Sequence, residues 1–297
     1  MRNNIYIRSN RSIKTISITK ICFLIPLVIY GLYKNGIYLY KEHLISFIEI
    51  FRPLIYSLIG AIIGVLVNIF YEKVVKKHDN DIVSAIFSSF HVEYGIIIGL
   101  LVPLNTNVIL YTIVVITMFI LSKFLNNRVN VMCASLIVIY LLSQIFFDFT
   151  FLNVHEASKT FEYEFMDYLI GKYPGGVGST HVILILLGTF GLYMTNNIKA
   201  SISLSSLVIL FFLFGIYSLI TSSDFSSLIF SSNIPMIMCY VQTDTKTSSY
   251  TKKGMITFGV LTGILTFALT FIAPIYAPLI SVLLISVLNN LIDRLVN

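Results

Sequence analysis

Four glycines stand within the eleven residues GKYPGGVGSTH, Gly171 to His181, between two long apolar runs. Without Cβ atoms, Gly175, Gly176 and Gly178 let backbone N–H groups approach a ligand closely, and Ser179 adds a hydroxyl. The loop then runs into a helix start, where such donors suit a phosphate. No Gly-Lys-Ser/Thr triplet follows, so it is not a nucleotide-binding P-loop. The same glycines equally serve a tight turn between closely packed helices, and the residues alone leave both readings open. A second candidate is the pair His91 and Glu93 in HVEYGIIIGLLVP. An acid and an imidazole at the start of an apolar run can bind a cation or relay protons. Alternatively the acid favours the helix dipole and faces the interface.

Other constellations are missing. No Gly-x-Ser-x-Gly elbow is present, and the five histidines are too dispersed for a metal site. Cys22, Cys133 and Cys239 have no CxxC spacing, which favours packed thiols over ligands of a shared cluster. Any chemistry would therefore be a cofactor's, with the protein supplying spacing and exclusion of water.

The elements that position these residues are membrane spans. The chain of 297 residues is 57% hydrophobic and 11% charged, with mean hydropathy +0.88. A soluble domain averages roughly 25% charged residues, so this chain cannot cover its surface with charge. With about 20 apolar residues needed per crossing, ten spans are expected: 21–40, 53–71, 88–104, 106–123, 130–148, 181–196, 203–221, 226–241, 254–272 and 275–292. The third is barely long enough and reads equally as a half-helix buried in protein. With the N-terminus inside, 15 of the 20 Lys and Arg fall in inner segments, which places both termini in the cytoplasm. The net charge of +6 thus reports topology and gives no argument for nucleic acid, because the cations are scattered over short inner loops.

The expected fold is an all-α integral membrane protein embedded in the lipid bilayer of the cell membrane. Its parts are a basic cytoplasmic N-terminus (1–20), a five-helix half (21–148), an outer loop (149–180) and a second five-helix half (181–297). Two five-span halves have opposite orientation, the plan of inverted repeats, whose sites lie at the repeat interface. Asn68, Gln144, Asn233, Asn289 and Asn290 fall inside spans, either as interhelical hydrogen bonds or lining a cofactor-bearing interior; the former is commoner.

Four stretches carry a resemblance. The inner loop TDTKTSSYTKKG, 243–254, resembles the matching loop of the RnfD/NqrB family, the flavin-bearing membrane subunits of Rnf and sodium-pumping NADH:quinone reductase complexes. Thr243, Asp244, Thr247, Ser248, Lys252, Lys253 and Gly254 fit, while Thr245 and Ser249 replace the family's prolines. YEKVVKKHDNDIVSAIFSSFHVEYGIIIGLLVPLN, DYLIGKYPGGVGSTHVILILLG and LISVLLISVLNNLIDRLVN are similar to family segments in the same order, over roughly 50–297.

That resemblance implies a subunit that passes electrons through flavin and couples them to Na+ or H+ translocation, with other Rnf-type subunits as partners. The implied cofactor is FMN, with riboflavin as a further candidate, and the glycine loop becomes a wall of a flavin site. The family esterifies FMN to threonine within Asp-Gly-x-x-Ser/Thr-Gly-Ala-Thr; aligned on it, residues 153–160 read NVHEASKT, and only Thr160 matches. A flavin transferase reads the acidic and small residues, so their loss favours a plain loop threonine over covalent FMN. Two other classes stay open: a small-solute or cation transporter on the same plan, and a structural subunit that has lost covalent flavin.

Overall fold

The computed structural model describes residues 12–43, 45–77, 81–124, 129–147, 163–230 and 233–296. Among them every regular element is helical. Five helices are long and apolar enough to cross a membrane: α1 (Ile13–Lys41), α2 (Phe47–Val75), α9 (Ala200–Thr221), α12 (Lys252–Thr270) and α13 (Ala277–Leu295). Four shorter apolar helices are α4 (His91–Leu101), α5 (Val108–Phe124), α6 (Val131–Phe146) and α8 (Val182–Met194). Between them lie α3 (Ile82–Ile86), α7 (Phe165–Ile170), α10 (Phe225–Phe230) and α11 (234–241). The chain is a multi-pass membrane protein.

Local chemistry sets most helix starts. Ser12 accepts from the Thr15 N–H and starts α1. Ser46 and Glu49 form a reciprocal cap before α2, and Pro53 sits in its first α-helical turn, which opens at Arg52 after a short 3-10 turn. Asn130 accepts from Cys133, His181 from Leu184 and Thr251 from Gly254, opening α6, α8 and α12.

Several boundaries differ from the sequence expectation. The first helix begins at Ile13 rather than 21, because the Ser12 cap nucleates it eight residues earlier; Lys14 and Lys20 are therefore helical. The span expected over 226–241 is divided into α10 and α11. Asn233 sits between them in the left-handed region, φ +59°, and Pro235 opens the next turn. The expected third span is the 11-residue α4, about 16 Å long, half of a bilayer core of about 30 Å.

The two short helices hold equivalent places. Each half runs through two helices, a very short one (α3 or α10), a buried half-length one (α4 or α11), and two more. Every residue of α4 except Ile96 is buried, as are all eight of α11. Tyr94, one turn into α4, bonds Asp244 just beyond α11, while the far end of α4 and the start of α11 meet at the 171–181 loop. The half-helices thus run in opposite directions.

Close crossings fix α4. Gly60 of α2 and Gly95 of α4 face each other so tightly that a Cβ on either would overlap the other's backbone carbonyl. Gly64 lies against the His91 carbonyl and Gly99 against Ser57, making a Gly-x-x-x-Gly spacing on both helices. Gly259 and Gly263 of α12 do the same against α9.

Candidate functional site: a buried polar layer joining the two halves

At the N-terminal end of α4, charged and polar groups from both halves meet in the interior. α4 delivers His91, Glu93 and Tyr94; α1 delivers Lys20; α2 delivers Asn68; the segment after α11 delivers Asp244, Lys246 and Thr247. Lys20 Nζ donates to Glu93 Oε1 at 2.7 Å, with Glu93 fully buried and Lys20 only 5% exposed. The buried Ser17 hydroxyl faces the Glu93 carboxylate, and neither it nor Glu93 Oε2 has any other partner.

His91 belongs to a different group. Its Nδ1 lies 2.5 Å from Ser89 Oγ and 2.9 Å from Asn68 Oδ1, and its Nε2 lies 2.6 Å from Ser122 Oγ. Lys123 Nζ donates to both Asn68 Oδ1 and Ser89 Oγ at 2.9 Å. His91 and Glu93, two residues apart on one helix, therefore point into separate clusters, and what joins them is the Asp244 segment. Tyr94 OH donates to Asp244 Oδ1 at 2.6 Å and Thr247 Oγ1 donates to Oδ2 at 3.0 Å. A cavity of about 20 Å³, room for one water, is bordered by His91, Tyr94, Ser122, Asp244, Lys246 and Thr247.

The 243–254 loop is held from both sides. Asn130 Nδ2 donates to the Val241 carbonyl at 3.0 Å. Asp293 accepts from the Ser249 hydroxyl, from the Tyr250 and Thr251 amides, and from Thr251 Oγ1 at 2.9 Å. Lys199 Nζ donates to the Ser249 carbonyl at 2.7 Å and lies 4.4 Å from the Tyr250 ring centroid. Burial lowers the pKa of both Lys199 and Lys246; Asp293 and Asp244 draw the first back up, and Asp244 and Glu93 the second. Their ammonium charge thus depends on nearby carboxylates.

The 171–181 loop lies at the opposite end of α4. Its amides bond inward: Val177 N–H to Val102 O at 3.0 Å, Gly178 N–H to Leu100 O at 2.9 Å, and Gly176 N–H to Asn233 Oδ1 at 3.0 Å. Ser179 Oγ donates to the same Asn233 oxygen at 2.7 Å. From α1, Lys34 donates to the Tyr173 carbonyl and Thr180, and Asn35 to the Val177 carbonyl. A Cβ on Gly176 would come 2.5 Å from the Leu101 carbonyl oxygen, and one on Gly178 2.8 Å from that of Leu27. The closeness these two glycines permit is to the protein's own backbone, so a flavin phosphate would take donors from other residues. Gly175, half-buried, forms the loop's rim. Thr160 lies outside the described residues.

Sequence reasoning singled out His91 and Glu93, counted Asp244 only among the residues that match the family loop, and counted Lys20 only as an inner-side cation. Its proximity to Glu93 depends on how α1 crosses α4, which no local pattern reports. No curated protein matches the chain. A family match runs the whole length, residues 1–297: the chain belongs to the NQR2, RnfD, RnfE family, membrane subunits of Rnf- and Nqr-type complexes.

Proposed function

We propose that this subunit passes electrons through flavin and couples their transfer to Na+ or H+ movement. The observation that carries this reading is the buried layer of Lys20, Glu93, Tyr94 and Asp244. Charged groups inside a membrane protein are costly to insert, about 2.5–3.5 kcal/mol each at a helix centre, and they mark ion and proton routes. Here they stand where the two halves meet, the usual place of a translocation site.

FMN is the proposed electron carrier, riboflavin a second flavin, and other Rnf-type subunits the electron donors and acceptors. Covalent attachment at Thr160 is the less favoured arrangement, because only that residue of the family's recognition sequence is kept. The flavin, when bound, supplies one- and two-electron chemistry. This chain's residues supply a water-poor interior and a fixed carboxylate at Glu93.

The test uses the assembled complex, co-expressed with its partner subunits and a flavin transferase, in the cell membrane. Glu93→Gln is expected to lower redox-driven ion uptake into vesicles by at least tenfold while the flavin spectrum and assembly persist. Uptake unchanged in that variant defeats the coupling role. Absence of flavin from the purified wild-type complex subunit defeats the electron-carrying role. In-gel fluorescence lost on Thr160→Ala identifies a covalent attachment, and fluorescence retained excludes that residue.

A further inference from the structure

Glu93 already holds a cation, and that cation is part of the chain. Lys20 Nζ sits 2.7 Å from Glu93 Oε1 and 5.0 Å from the Phe90 ring centroid. Beside the pair, the buried Ser17 hydroxyl faces the Glu93 carboxylate, and neither it nor Glu93 Oε2 has any other partner. Ser17 and Lys20 are three residues apart on α1 and so share one helix face. Two carboxylate oxygens and a hydroxyl, enclosed by protein, form the oxygen-rich set that suits a small hard monovalent cation.

The surroundings already carry positive charge. Lys246 lies 5.5 Å from the same Phe90 ring, and Asp244 is anchored by Tyr94 one residue beyond Glu93. Lys20 and Lys246 face Glu93 and Asp244, and Lys123 on the His91 side adds a third ammonium. A sodium ion added to this layer would be a further buried positive charge with no carboxylate left to offset it, a penalty far above what a few oxygen contacts return. The carboxylate is open to a free cation only when the ammonium has withdrawn.

We propose that Lys20 is a tethered counter-ion that occupies Glu93, closes it to sodium while in place, and so determines which ions this carboxylate accepts. The inference rests on Glu93 serving as an ion carrier, but its test needs no electron transfer, so it can fail while the redox reading stands.

Purified full-length protein in detergent is heated in sodium chloride and in choline chloride at equal ionic strength. The expected result for the wild type is the same Tm in both salts. Lys20→Met is expected to show a sodium-specific rise in Tm that Lys20→Met/Glu93→Gln lacks, because a ligand that binds only the folded state stabilises it. Lys20→Gln, which keeps a donor near Glu93, is run alongside to secure a folded variant, and sodium-22 binding reports stoichiometry directly. One sodium bound per Lys20→Met chain and none per wild-type chain supports the proposal. A sodium-specific rise in the wild type that Glu93→Gln removes overturns it, as does a folded Lys20 variant with no sodium response.

Discussion

Asn233 shows how much one side chain can hold. Its backbone is left-handed, a conformation Asn tolerates better than most residues, and its Oδ1 accepts from both the Gly176 amide and the Ser179 hydroxyl. Asn233→Ala should lower stability by about 2–4 kcal/mol, since two buried donors lose their acceptor and Ala is strained at this φ. Asn233→Gly removes the acceptor but not the backbone freedom, so it should fall between the two. Thermal unfolding in detergent checks the order, and equal Tm values for the wild type and Asn233→Gly would remove the hydrogen-bonding role. The expectation for an Asn within an apolar stretch was an interhelical bond or a place in the interior lining; Asn233 bonds a loop instead, and its partners lie more than fifty positions earlier in the chain, beyond any local pattern.

At the scale of elements, α4 and α2 are joined by missing side chains. Gly95→Val should drive the two helices apart and prevent assembly of the half-length helix, because rigid backbone rather than a mobile side chain occupies the space. Gly215→Ala on α9 is the matched control, since its nearest neighbour is a Phe225 ring carbon 3.9 Å away. Folded yield by size exclusion is expected to collapse for the first and to hold for the second; equal yields would mean that the crossing is not tight. The pattern was in the sequence as GAIIG, GIIIG and GVLTG, each a Gly-x-x-x-Gly. What the spacing cannot say is which helix each glycine meets. Hydropathy fared well for the long helices and failed at 226–241, where an apolar run hides the break at Asn233: apolarity measures burial, and α10 and α11 are as buried as a continuous span would be.

For the whole molecule, the polar layer at the start of α4 collects Lys20, Lys123 and Lys246, three of the cations that the sequence assigned to the inner side. A reporter fused after Asn297 is expected in the cytoplasm and one inserted near Glu164 outside, following the cation bias. Both reporters on one side would defeat the five-plus-five arrangement. Fold class was readable because a bilayer sets a length for each span. The buried layer was only partly readable, since its ion pair joins residues 73 positions apart.

The inward-bonded glycine loop also fixes where the molecule can bend. Lys34, Asn35, Val102, Leu100 and Asn233 tie it to α1, to the end of α4 and to the start of α11. Parting these elements there would break five or more hydrogen bonds at once, at about 1 kcal/mol net apiece. The loop therefore behaves as a fulcrum. Rocking of one half against the other, the motion by which two-half transporters alternate access, would have its long arm at the opposite end, and displacement would be greatest where Tyr94 of the first half meets Asp244 of the second.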